Sequence, residues 1–333
     1  MNQQNLSRRV AWFVVAAVAI TVWGIIGIVQ RRDMGRGGYF YGPDYIVSSV
    51  TPGGAGAEAG LQVGDRVLRV GGIPVQELPM QSRWTQPRVG ESLPIEVERN
   101  GEPLAIEVVY GRSPRDPVVS GIRTLLVGLS FLGLGLWAYV RAHTRHAWTV
   151  ALMGLAVALS VVRGPHLGAW DGVASHINIA SAVLFMALLL HFFLTFPQAG
   201  RIGGSRQTAR LIYGVWLLYV AFLVVELIVH PALYGAYGFL GIMLFLIYAV
   251  LVLATAIHAF VKTPRIELRE SGLGVVLLGL LIAIAPNLAY VAGRILLPGI
   301  TWPSPSYVAV LLIAIPLTLV FGVRKQAFQE TQA

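Results

Sequence analysis

Stretches of about twenty almost uncharged residues recur along this chain, and they constrain its fold more than any other feature. Residues 10–29 form the first; seven more follow near 118–140, 147–163, 175–196, 211–230, 236–260, 272–293 and 305–322. A soluble fold cannot shelter so many runs of this kind, whereas a helix of about 20 apolar residues matches the hydrocarbon core of a bilayer. Backbone N–H and C=O groups find no water there, so each run must close its own hydrogen bonds as a helix. Only 12% of the 333 residues are charged, about half the share usual in soluble chains. The pattern predicts a mixed fold: an all-α polytopic membrane bundle of about eight transmembrane helices, with one small α+β domain inserted after the first.

The formal charge of +9 does not point to nucleic acid. Residues 31–115 hold ten Arg against ten Asp or Glu, so the excess lies beside the spans. Basic residues collect on the cytoplasmic side of membrane proteins. With a cytoplasmic N-terminus, the inner segments carry Arg8, Arg9, Arg141, Arg145, Arg201, Arg206, Arg210, Lys262, Arg265, Arg269, Arg324 and Lys325. The expected organisation is a cytoplasmic stretch 1–9, an uncleaved signal-anchor helix 10–29, an extracytoplasmic domain 31–115, a seven-helix bundle 118–323 and a cytoplasmic tail 324–333. This describes a multi-pass protein of a bacterial inner membrane, with Trp170 and Trp302 as interfacial anchors. The sequence has no cysteine, which excludes disulfides and thiolate chemistry.

Residues 31–115 show the alternation of half-buried strands at 45–50, 66–70, 93–99 and 104–109. Asn100-Gly101 between the last two is a hairpin signal, although the loop could exceed two residues. Between the first two runs lies Thr51-Pro52-Gly53-Gly54-Ala55-Gly56-Ala57-Glu58-Ala59-Gly60-Leu61-Gln62-Val63-Gly64-Asp65. Pro52 to Gly54 turn the chain. Ala55 to Ala59 make a short helix of small residues, and Gly60 ends it in the left-handed conformation.

This segment, with Pro52, Ala57, Ala59, Gly60, Leu61, Gly64 and Asp65 in place, resembles the central stretch of PDZ domains. The resemblance implies a PDZ-like α+β domain, with a second helix in the region 84–89, that takes a protein or peptide partner. A peptide C-terminus would add to a sheet edge, its carboxylate held by backbone N–H groups. The loop that the resemblance assigns to this role is Gly37-Gly38-Tyr39-Phe40. A PDZ-like fold with a blocked groove is the alternative.

Polytopic chains with such domains include site-2-type proteases, which need His-Glu-x-x-His on a helix to hold zinc. No His-Glu pair occurs in the sequence, and Gly-x-Ser-Gly is also absent. The expectation is no enzyme, no cofactor and no metal.

Polar residues within the spans are few. Glu226 and Arg294 fall at similar depth, which suggests a contact between them. His191 and His258 stand near span ends, where an imidazole can cap carbonyls. Pro286-Asn287 interrupts a span, the Asn being able to satisfy backbone groups that the proline frees. The segment His191-Phe192-Phe193-Leu194-Thr195-Phe196-Pro197 resembles part of the multi-span sensor region of PDZ-bearing bacterial histidine kinases. No kinase domain follows the last span before Ala333, so as a sensor the chain would pass its output to a separate kinase or regulator as partner, or would be a fragment or a decayed relative. The reading at this level is a non-enzymatic membrane sensor or regulator in signal transduction. The alternative is an accessory or scaffolding subunit acting by protein binding; a transporter ranks lower. Contact with membrane lipid is implied, and contact with nucleic acid is not.

Overall fold

In the computed structural model of the chain, residues 3–42, 44–76, 87–112, 117–167, 171–196, 205–229, 234–264, 272–297 and 305–330 are described. The chain divides into two compact units. One comprises Met1–Gly24, Ile122–Arg163 and Val173–Ala333; the other comprises Ile25–Gly121 and Gly164–Gly172.

Helix α1, Gln3–Arg31, extends beyond its apolar run at both ends. Arg31 in its last turn complements the negative end of the helix dipole. In the smaller unit, β1 (Tyr39–Tyr41) pairs antiparallel with β2 (Val47–Val50). A single helical turn, α2 (Ala55–Glu58), follows, and Gly60 leaves it at φ +87° as expected. The second sheet has the order β4-β3-β5-β6, built from β3 (Arg66–Val70), β4 (Ile73–Pro74), β5 (Ser92–Arg99) and β6 (Glu102–Val109). Arg99 pairs directly with Glu102, and Asn100 and Gly101 both have positive φ, at 53° and 84°. The hairpin loop is therefore two residues long, with the backbone sign pattern of a type I′ turn.

Alternation puts Ile95 and Val97 of β5 and Ile106 and Val108 of β6 into one core with Val47, Leu61, Val67 and Val70. Asp65 is 2% exposed. It accepts hydrogen bonds from the Gln62 N–H at 2.8 Å and from Arg99 Nε and Nη2 at 2.7 Å each. Arg99 Nη2 also donates to the Gly60 carbonyl at 2.8 Å. The turn from Gly60 to Asp65 is thus bolted to β5. Hydrogen bonding from the Arg99 guanidinium holds the Asp65 carboxyl below its ordinary range.

The base of this unit carries a second fastening. The Gln30 side chain donates from Nε2 to the His166 carbonyl and accepts from the His166 N–H, while Arg31 Nη2 donates to the Gly164 carbonyl at 2.6 Å. The last turn of α1 holds residues 164–166 in this way.

The larger unit contains α3 (Pro117–Ala142), α4 (Arg145–Val161), α5 (Asp171–Thr195), α6 (Arg206–Val229), α7 (Tyr234–Lys262) and α8 (Leu273–Leu296). It ends with α9 (Pro305–Ala309), a 3₁₀ stretch (Val310–Ile313) and α10 (Ala314–Glu330). Among the described residues, five helices are long and apolar enough to cross a membrane, and three shorter apolar helices cover Arg145–Val161, Leu273–Asn287 and Tyr307–Gly322. Each apolar run of the sequence overlies one of these helices. Small residues let α3 and α4 approach closely: a Cβ on Gly135 would stand 3.0 Å from Ala151 Cα, and one on Gly154 would meet the Phe131 carbonyl.

Two elements differ from the sequence reading. β1 forms within the stretch expected to be a loop. The helix expected at 84–89 fails at its end, where Arg88 bridges to Met34 and Val89 lies in a turn. Residues 84–86, Trp170, Pro197 and Trp302 lie outside the described residues.

Candidate peptide-binding site

The stretch from Gly37 to Tyr41 is positioned by its carbonyls. The Gly37 carbonyl accepts from the Gly56 N–H of α2, and the Gly38 carbonyl accepts from the Thr51 N–H, both at 2.6 Å. With the carbonyls docked onto α2 and the end of β2, the N–H groups of Gly37 and Gly38 have no partner among the described residues. Gly38 has φ +70°, a conformation that a side chain resists, and a Cβ there would come 3.2 Å from Gly54. Glycine is needed at that position for both reasons.

β1 continues from this turn. Its sheet contains only β1 and β2, so the other edge of β1 has no strand beside it among the described residues. Tyr39 and Tyr41 share one face, their ring centroids 6.4 Å apart, and Tyr39 Oη lies 3.0 Å from Tyr110 Oη. Burial pushes the Tyr39 phenol well above its usual pKa and raises that of Tyr110 as well, so both stay neutral hydrogen-bonding groups. Phe40 between them is 67% exposed. The loop named from the sequence is therefore a docked turn followed by an edge strand. Its partner tyrosine, Tyr110, is invisible in the sequence because it lies 71 residues away. Pro52 to Gly54 form the turn before α2, Ala57 lies in α2, Ala59 caps it, and Leu61 is buried in the core. Gly64 takes φ +98° ahead of Asp65.

The described polar residues of the spans do not converge on a single site. His191 engages a side chain: its Nδ1 lies 2.7 Å from Tyr213 Oη on α6. His258 is exposed on α7. Asn287 Nδ2 donates to the Ala283 carbonyl at 2.7 Å and to the Val308 carbonyl at 3.2 Å, tying α8 to α9. The side chains of Glu226 and Arg294, and hence the contact expected between them, lie outside the described residues. Arg123 stacks over the Tyr307 ring at 3.7 Å.

Comparison with known proteins matches residues 46–99 to the PDZ domain family. The chain is 33% identical over 69 residues to the regulator of sigma-E protease RseP of Escherichia coli, covering 21% of this chain and 15% of that protein. It is 25% identical over 171 residues to a protein named as a zinc metalloprotease in Ralstonia nicotianae, 44% of this chain and 36% of that one. It is 38% identical over 72 residues to a protein named as the serine protease HhoB in Synechocystis, 21% of this chain and 17% of that one. The chain thus spans well under half the length of each of these relatives. No solved structure matches it.

These matches support a PDZ domain in a multi-pass membrane protein, a kind of domain that binds proteins or peptides. They also correct the functional reading. The expectations of a non-enzymatic sensor and of no enzyme are overturned, because three relatives carry names from proteolysis, two of them as proteases outright.

The zinc in one relative's name finds no matching ligand set. No group of three His, Cys, Asp or Glu side chains comes together among the described residues. His146 and His191 are electrostatic neighbours, but Arg145 acts on His191 as well, and a guanidinium disfavours a dication. The described residues do not fit a zinc ion.

Proposed function

We propose that this chain acts in membrane proteolysis, and that its PDZ-like domain grips the extended end of a polypeptide destined for cleavage. The observation that carries this reading is the coincidence of two features in one segment. Residues 46–99 match the PDZ family and fall within a chain that shares similarity with proteins named in proteolysis. Immediately before them stand an open strand edge and two backbone N–H groups without a partner among the described residues.

An incoming C-terminus would extend the β1 edge and bring its carboxylate to Gly37 and Gly38. The two N–H groups supply charge-assisted hydrogen bonds there. Phe40 would contact an apolar side chain of the peptide. The Tyr39–Tyr110 pair would hold β1 in place from its other side. The reading includes an inner-membrane location, eight spans, cytoplasmic termini and an extracytoplasmic PDZ-like domain. The likeness of the membrane part to kinase sensor regions, carried by residues 191–197 and 315–324 and by the place of the PDZ-like domain after the first span, adds no partner to this reading.

The test is co-expression of the full chain with a single-span reporter that exposes its C-terminus on the PDZ side. The expected outcome is a shortened reporter in cells with the wild-type chain, and several-fold less of it with Gly38→Val. Identical amounts of intact reporter with and without the chain would overturn the proposal. Reporter loss that is unaffected by Gly38→Val would keep a role in proteolysis but remove the Gly37–Gly38 site.

A further inference from the structure

Cationic and hydrogen-bonding groups from four helices gather at one end of the larger unit. α4 opens on Arg145 and His146. Arg9 of α1 lies over the Trp148 ring at 5.3 Å. His146 packs edge-on against Phe192 and Phe196 at the end of α5, at 6.0 and 5.7 Å between centroids. Arg145 acts electrostatically on both His191 and Tyr213, which bond each other at 2.7 Å. If Nδ1 of His191 accepts the Tyr213 hydroxyl, its Nε2 carries a hydrogen and is a further donor.

Nothing nearby in sequence offsets this charge. Residues 1–32, 117–170 and 172–225 contain no Asp or Glu, and these stretches supply every group just named. The Arg145 guanidinium is exposed and has no hydrogen-bond or ion-pair partner among the described residues. Both ion pairs found among the described residues belong to the PDZ-like domain. The first turn of α4 holds no acidic residue, and its dipole adds to the positive field. The cluster also lies at the ends of apolar helices, the level at which lipid headgroups begin.

We propose that the cluster formed by Arg9, Arg145, His146 and the His191–Tyr213 pair seats the phosphate of an anionic lipid headgroup. A lipid supplies the negative charge that the cluster lacks among the described residues, and its acyl chains lie along the apolar helix faces. A free phosphate offers the same charge without that apolar anchorage.

The experiment uses the purified full chain and native mass spectrometry of retained lipid. Phosphatidylglycerol is the probe, phosphatidylcholine the neutral control and inorganic phosphate the competitor. Wild-type protein is expected to retain phosphatidylglycerol at least about tenfold better than phosphatidylcholine. The Arg145→Gln/His146→Gln variant should lose about tenfold of that preference, and Arg145→Lys should keep most of it. Equal retention of the two lipids by the wild type would overturn the proposal, as would an unchanged preference in the double variant. Full displacement of phosphatidylglycerol by millimolar phosphate would assign the seat to free phosphate and also overturn it. Should the double variant fail to fold, the wild-type preference and the phosphate competition decide alone.

Discussion

Asp65 is the residue on which the PDZ-like domain turns. Its carboxylate takes three donors at 2.7–2.8 Å while almost fully buried. Replacement by Asn leaves those donors poorly matched and should destabilise the domain by about 2 kcal/mol. Hydrogen exchange of the Gln62 and Val67 amides in the full chain would measure it. The same pairing sets an acid limit. Because the folded carboxyl titrates below its unfolded value, its contribution is complete above about pH 4. It is lost as pH falls through the depressed folded value. Asp65→Asn should therefore flatten the acid side of the stability profile, and an unchanged profile would show that Asp65 does not set it. The turn around Asp65 is legible in the sequence, since a small-residue helix, Gly60 and Gly64 fall at fixed spacing. Its partner Arg99 is not, because 34 residues separate them and only the fold of β5 brings them together.

At the scale of elements, the membrane helices are readable because each must satisfy itself locally. The apolar run fixes the helix, although α1 and α10 continue through their basic flanks. How helices meet is not readable, because packing depends on which few residues are small at the crossing. Gly154 is such a residue, since any side chain there runs into the Phe131 backbone. Gly154→Leu should force α3 and α4 apart and lower the melting temperature of the purified chain, whereas Gly133→Leu, with open space around it, should change it little. Equal shifts for both would remove the close crossing. β1 is hidden for a related reason. Three residues carry too little alternation to register as a strand, and Tyr39–Tyr41 becomes one only by lying against β2. The His191–Tyr213 bond is equally hidden, because it joins two helices, whereas the sequence suggests only a local cap.

At the scale of the molecule, the sequence shows a soluble module within a membrane chain but not the full membership of that module. The compact unit reaches back to Ile25 in α1 and takes in Gly164–Gly172, a segment far away in sequence. A reading by composition ends the module at about residue 115 and assigns 164–172 to an ordinary connection. The functional correction has a similar origin. The absence of His-Glu-x-x-His speaks only to one chemistry, whereas the relatives matched in part through the PDZ-like region carry names from proteolysis.

The grip of Gln30 and Arg31 on residues 164–166 makes the Arg163–Gly164 bond a reporter of the module's integrity. Connections between helices are ordinarily where a protease nicks first, because cutting needs an extended segment that can leave the surface. Here the amide of Gln30 occupies both backbone groups of His166. Trypsin should be slow after Arg163 in the native chain and several-fold faster in Gln30→Ala. Equal cleavage rates would mean that the clasp gives no shelter.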